Sequence, residues 1–365
     1  MSLLSVLSRV APPPSYIALP SVGVDISDTS MKYIGFTPSL RKSGYKVLNL
    51  WGDLDIPANS LERGEVINQK QLADTLKEFK KITGSQFIRV SLPEERAYIF
   101  ETEIKHNIPI NEIKSLLEFR LEENIPKAAR DAIFDYEFLP KKDGSQTVRV
   151  VVAAYLRDSI MQYYEACLAA DLTPISFEVE AQAMARAAIP NSVTDTVMLI
   201  DFGKTRTGVG ICKEGVLLYT STIEIGGGQL STTLRKVLGE VAESELTNIK
   251  NTIGLIRAVN DSKVYDSLMP TISVIKDEIA TRMQYWHTKE GNLEQDRRIK
   301  QIVLCGGSAN LKGLPEYLTE VLGMPCVRAN VWTNAFPTEL VIPPIDRYHS
   351  FGYATAIGLA LDNTV

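Results

Sequence analysis

Residues 22–36, "VGVDISDTSMKYIGF", run apolar as far as Asp25, cross a short polar turn of Ser27, Asp28, Thr29 and Ser30, and become apolar again. Two strands joined by a tight turn fit that pattern, since Asp and Ser favour turn backbone and bond to it locally. Residues 198–212, "MLIDFGKTRTGVGIC", align with this stretch without a gap, placing Asp25 on Asp201, Ser27 on Gly203 and Thr29 on Thr205. Either hairpin alone is ordinary. Their repetition predicts one device made twice.

The surroundings of each hairpin extend the repeat. After the first come a strand, "YKVLNLW", a helix, "NQKQLADTLKEFKKITG", and a strand, "QFIRVSL". In the helix Leu72, Leu76, Phe79 and Ile82 recur at spacings of three and four, and Gly84 supplies the stop. Residues 93–146 change character: strand "AYIFETEI", helix "NEIKSLLEFRLEENIP" capped by Asn111, strand "AIFDYEFLP" and turn "KKDGS". The first sheet then resumes with "TVRVVVAAY", followed by the helices "DSIMQYYEACLAAD" and "SFEVEAQAMARAAIP". The second hairpin leads to strand "GVLLYTSTIEI", helix "GGGQLSTTLRKVLGE", two helices between 242 and 288, the strand-turn-helix "RIKQIVLCGGSANLKGLPEYLTEVLG" and a closing helix, "RYHSFGYATAIGLALD". The predicted architecture is a duplicated α/β fold, two domains around a cleft, with a small α+β insertion. Its expected divisions are a flexible segment 1–21, domain I in two parts (22–92 and 147–195), the insertion 93–146, domain II over 196–345, and a C-terminal helix, 346–365, packing back on domain I.

Composition narrows the function. With 365 residues, 45% of them hydrophobic, 23% charged, and a net charge of -5, the chain reads as a globular protein without the basic excess of a nucleic-acid binder. Cys167, Cys212, Cys305 and Cys326 follow no pairing or zinc-type spacing, which suits a reducing cytoplasm. His106, His287 and His349 are too scattered for a histidine-built metal site. No run approaches the roughly 20 apolar residues that span a bilayer. The opening "MSLLSVLSRVAPPP" lacks a basic region ahead of its apolar residues and does not read as a signal peptide; Leu3, Leu4, Leu7 and Val10 would share one helical face before the prolines end it.

The chemistry collects at the turns. Small residues at a hairpin tip expose backbone N–H groups that hold phosphate oxygens, with Gly203 allowing close approach and the Ser27 hydroxyl able to donate. Asp25 and Asp201 would repel a phosphate unless a cation lay between, which implicates Mg²⁺ held partly through water. Lys32 or Lys204 would add positive charge. In "EIGGGQL" the glycines Gly226, Gly227 and Gly228 open a helix whose first N–H groups are expected to be unpaired. In "VLCGGSANLKGL" Gly306 and Gly307 would let a flat base lie against the backbone. Of Glu178 and Glu180, read on one helix, one would face the cleft and position a water.

This ordered set of hairpin tip, insertion, Glu-bearing helix, second tip, "GGG" helix and "CGG" turn resembles the actin-like ATPase superfamily. Within it the chain is most similar to the PilM family of type IV pilus assembly proteins, through "IKHNIPINEIKSLLEFRLEENIPKAARDAIFDY" and the closing "GYATAIGLAL". The related FtsA family shares the insertion. The resemblance implies ATP and Mg, with Asp25 to Ser30 as the first phosphate loop and Asp201 to Thr205 as the second. It places Gly226 to Gly228 beside the nucleotide, Gly306 and Gly307 at the adenosine, and Lys250 near the base. Ser27 replaces the family's usual Gly, and Leu246 and Thr247 replace an Ala-Glu pair, so an acidic residue often near the ribose is missing. The implied function is a cytoplasmic adaptor with at most weak ATPase activity, peripheral at the inner face of the membrane. It would bind the tail of a PilN-like membrane protein beside the insertion and work with other inner-membrane assembly proteins. A sugar-type kinase is an alternative, as is a filament-forming, self-associating FtsA-like protein.

Overall fold

A computed structural model describes residues 21–38, 46–105, 107–140, 146–257, 262–289 and 297–361. The first half contains β1 (Val22–Ile26), β2 (Ser30–Pro38), β3 (Lys46–Asp55), a small hairpin of β4 (Leu61–Glu62) and β5 (Glu65–Val66), α1 (Gln69–Thr83) and β6 (Phe87–Leu92). Next come β7 (Ala97–Lys105), α2 (Ile110–Asn124), β8 (Ala132–Phe138), β9 (Thr147–Leu156), α3 (Arg157–Ala169), β10 (Thr173–Val179) and α4 (Glu180–Ala188). The second half holds β11 (Thr196–Phe202), β12 (Thr207–Lys213), β13 (Val216–Ile223), α5 (Gly227–Leu238), α6 (Glu243–Thr252), α7 (Lys263–Thr288), β14 (Ile299–Cys305), α8 (Leu314–Leu322), β15 (Cys326–Arg328), α9 (Arg347–Ser350) and α10 (Ala354–Leu361).

Two sheets share one design. The first has the order β10-β6-β1-β2-β3 and the second β15-β14-β11-β12-β13. In each, the central strand pairs antiparallel with its hairpin partner and parallel with the strand on its other side. Val22, Val24 and Ile26 of β1 are buried, as are Val197, Met198, Leu199 and Ile200 of β11, the near-continuous burial of strands covered on both faces. On α1, Leu72, Leu76 and Phe79 are fully buried while Ile82 is exposed. Asn68 caps its start by accepting from the Gln71 N–H, and Gly84 ends it at φ +66°.

The closing helix is placed by two glycines. A Cβ on Gly23 would overlap the Ala356 carbonyl, and one on Gly358 would overlap the Ala183 carbonyl. So α10 lies against β1 and α4, in the first half. The expected continuous helix is broken: Phe351–Tyr353 tightens into a 3-10 turn whose Phe351 carbonyl accepts the Gly306 N–H at 3.1 Å.

Three sequence expectations change. The stretch from Thr147, expected to resume the first sheet, is the middle strand of a separate sheet ordered β7-β9-β8. Its Val150, Val152 and Ala154 complete the insertion's core with Ile113, Leu117 and Leu121 of α2. Asn111 caps nothing, because extended Pro109 takes the cap position and the helix starts at Ile110. "SFEVEAQAMARAAIP" is a strand and then a helix: Glu178 pairs with Ser91 and Val179 with Leu92 of β6, and the chain turns helical only at Glu180. Segment 1–20, turn 141–145 and His106 lie outside the described residues. Among the described residues no helix is long and apolar enough to cross a membrane.

Candidate functional site

The two hairpin tips meet in one cleft. The register pairs Ile26 with Met31 and Phe202 with Thr207, so both turns span the same number of residues and the gapless alignment holds in space. The first turn is closed by Ser27 N–H to Ser30 O at 2.9 Å, and the Ser27 hydroxyl also donates to that oxygen rather than standing free. The second is closed by Gly203 N–H to Arg206 O at 3.0 Å. The N–H groups of Asp28, Thr29, Lys204 and Thr205 have no partner among the described residues. Each tip thus offers two adjacent donors, the kind of concavity that takes an anion.

Carboxylates line the floor. Asp25, Glu94, Glu180 and Asp201 surround a cavity of about 360 Å³ together with Lys32, Lys204 and Arg206. Asp25 accepts from the Ser91 hydroxyl at 2.9 Å, and that oxygen accepts the Ile26 N–H at 3.0 Å. Burial raises the Asp25 pKa against the pull of Lys32. Asp201 is pushed up to about 7 by burial and by Glu94 and Asp25, with Lys32 and Arg206 opposing. The Glu180 pKa is raised well above the ordinary carboxylate value by burial and by the charge and hydrogen bond of Glu94. Lys32 Nζ donates to Ser30 Oγ at 2.8 Å. At the matching register position of the second hairpin Gly208 leaves room, which the Glu94 carboxylate fills.

Among the described residues no three acidic, histidine or cysteine side chains converge closely enough to ligate a metal directly. The donor set instead suits a hydrated cation held between carboxylates and an anion at the tips.

The glycines act differently from expectation. Gly227 N–H donates to Gly203 O at 2.9 Å and Gly228 N–H to Lys204 O at 2.8 Å, while Gly226 N–H is capped by Gln229 Oε1 at 2.9 Å. These donors are spent docking α5 onto the second tip, and a Cβ on Gly226 would lie only 2.6 Å from Lys204 O. Gly306, at φ +82°, passes so close to Asp201 that a side chain would overlap its carboxylate. Gly307 has open space where its Cβ would stand and lines the cleft. Lys250 is not among the cleft-lining residues: its Nζ donates to Ser231 Oγ at 2.7 Å and lies 3.7 Å from Glu243. Glu178 also lies elsewhere, in an ion pair with Arg186 at 2.9 Å, leaving Glu180 as the helix-borne carboxylate in the cleft.

Sequence reading missed Glu94, Arg206 and Ser308. The acidic pair Glu94–Glu95 directly after β6 was the available signal, since side chains at strand ends face such clefts. Ser308 Oγ donates to Gly203 O at 3.1 Å and so braces the second tip.

A second cavity, about 930 Å³, lies between the insertion, the first half and the β12–β13 turn of the second half. Residues 133–137 of β8 and 176–179 of β10 line it, with Ile133 and Phe177 packed on one shared core, and with Gln182 and Arg186 of α4 alongside. Both β8 and β10 are sheet edges. Asp135, Glu137, Glu178 and Glu214 outnumber Arg186, and burial raises the Glu137 pKa against Arg186.

A family model described as type IV pilus assembly protein PilM matches residues 23–364. A solved "PilM-PilN type IV pilus biogenesis complex" is similar with a TM-score of 0.75 at 19% identity, covering 95% of this chain and 99% of that one. MreB 5 of Spiroplasma citri bound to AMPPNP gives 0.53 at 12% identity, over 93% of this chain and 94% of that one. The ethanolamine utilization protein EutJ from Carboxydothermus hydrogenoformans gives 0.51 at 15%, over 96% and 90%. At such identities these structures speak for the fold alone, an actin-like ATPase fold.

Proposed function

The chain belongs to the PilM family of type IV pilus assembly proteins, and on that premise we propose that it holds Mg·ATP between its halves and, as a cytoplasmic adaptor at the inner face of the membrane, binds the tail of a PilN-like protein. The observation that carries the nucleotide half is the pair of matched tips, each with two adjacent unpaired N–H groups, facing each other across a cleft floored by Asp25 and Asp201. The tips would cradle phosphate oxygens, with Lys32 adding charge. Asp25 and Asp201 would orient water around a magnesium ion, which would neutralise the phosphates. Gly307 leaves open space against which an adenosine would lie. The fold is shared with an MreB bound to AMPPNP.

Slow turnover follows from the floor. Burial beside the Glu94 carboxylate raises the Glu180 pKa and so favours its neutral form, which cannot accept a proton from an attacking water. Residence of ATP, rather than rapid hydrolysis, is the state this geometry favours.

The groove between β8 and β10 suits the tail. An extended segment there would bond to the free edges of two sheets, seat apolar side chains on Ile133 and Phe177, and meet Asp135 and Glu137 with a basic residue. Helix α4 serves both cavities: Glu180 lines the cleft, Gln182 and Arg186 the groove. A nucleotide that shifts the balance between open and closed halves would then bias tail affinity through this shared helix. Fluorescence anisotropy with a synthetic N-terminal peptide of a PilN-like protein tests this. Glu137→Lys should weaken binding roughly tenfold or more without lowering thermal stability; unchanged affinity would place the tail elsewhere.

A further inference from the structure

Arg206 stands at the second tip where the first has Ser30, and it reaches across the cleft. Its guanidinium lies 3.0 Å from Asp28 of the first tip and 2.5 Å from Glu95 in the turn after β6. All three side chains are largely shielded, at 14%, 15% and 12% exposure. Asp28 also accepts the N–H groups of Arg63 at 3.2 Å and Gly64 at 3.1 Å, so its carboxylate is fixed by the β4–β5 turn rather than free to follow Arg206. A second bridge between the halves, Arg63 to Glu224 at 3.6 Å, is exposed and contributes little.

We propose that Arg206 is an interdomain latch: its grip on Asp28 and Glu95 holds the two phosphate turns together before any nucleotide enters, and its release sets the rate of nucleotide exchange. The first clause concerns the protein alone; the second rests on the nucleotide reading above. Separating the halves at the tips pulls Arg206 both from Asp28, which the Arg63 and Gly64 N–H groups hold in place, and from Glu95, breaking two ion pairs that are largely shielded from solvent. The closed arrangement is therefore favoured without ligand. A nucleotide has to wait for the latch to open, both to enter and to leave. The duplication makes the asymmetry plain: the second tip supplies the cation, the first the anion, and neither hairpin could form the latch by itself.

The test uses full-length Arg206→Gln, Asp28→Asn and the double variant, each first shown to melt cooperatively. Amide hydrogen exchange of nucleotide-free protein reads the latch; release of a fluorescent ATP analogue reads its consequence. Each single variant should exchange roughly tenfold faster at the hydrogen-bonded amides of both tips, Ser27 and Gly203, together, and the double variant no faster than either. Analogue release should accelerate by a similar factor. The latch is overturned if either substitution loosens only its own tip. It is equally overturned if Arg206→Gln weakens analogue binding while Asp28→Asn releases at the wild-type rate, because Arg206 would then be a phosphate ligand. If wild-type protein captures no analogue and the exchange pattern still appears, the nucleotide reading fails and the latch stands.

Discussion

Asp201 shows what burial does to a single carboxyl. Its carboxyl is raised from 3.8 to about 7, chiefly by burial. A carboxyl that holds its proton more tightly when folded stabilises the fold less as pH climbs, with the loss spread between about 4 and about 7 and complete above that. Asp201→Asn removes the ionisation, so the ligand-free variant should melt a few degrees above wild type at pH 8, by less at pH 5, and differ little only below about pH 4, where Asp201 is neutral in the folded and unfolded chain alike. An equal difference at the two pH values would refute this assignment. Gly307 gives a complementary prediction. Since nothing stands within 4 Å of a Cβ there, Gly307→Val should fold normally yet lose nucleotide affinity. A cooperative melt together with undiminished binding would remove the base from that spot.

At the scale of elements, α5 and the second tip behave as one unit. Gly226→Ala would drive a methyl into the Lys204 carbonyl and the Arg206 N–H. It should cost about 1–3 kcal/mol by chemical denaturation and weaken nucleotide binding too, through displacement of Lys204 and Thr205; a variant as stable as wild type would separate helix from tip. The hairpins were legible in the sequence because all their determinants are contiguous, and the same order of residue types occurs twice. The end of the insertion was not, because "TVRVVVAAY" is apolar enough for either sheet and only pairing with β7 and β8 decides. The junction inside "SFEVEAQ" was hidden for a related reason. Glu178 and Glu180 fit a helix face or a strand end equally well until the register with Ser91 and Leu92 fixes the strand. Long-range partners escaped altogether: nothing local announces that Glu94 would meet Glu180, or that Arg206 would meet Asp28.

At the scale of the molecule, a duplicated sheet makes a cleft, and an insertion makes a groove beside it. Helix α4 borders both, and α10 locks it in place through Gly358. A nucleotide with different affinity for the latched and open arrangements would act on the groove through that shared helix, which gives a binding protein two states without requiring fast hydrolysis. The central claim is that the matched tips form a phosphate-and-magnesium clamp. The most direct measurement is to incubate purified protein with Mg·ATP, remove free nucleotide, and identify what stays bound over time, alongside Asp201→Ala. Retained ATP, close to one per chain, hydrolysed slowly or not at all and lost in the variant, is the predicted result. No retained nucleotide in the wild type, or equal retention in Asp201→Ala, would contradict the account and leave the groove as the functional site.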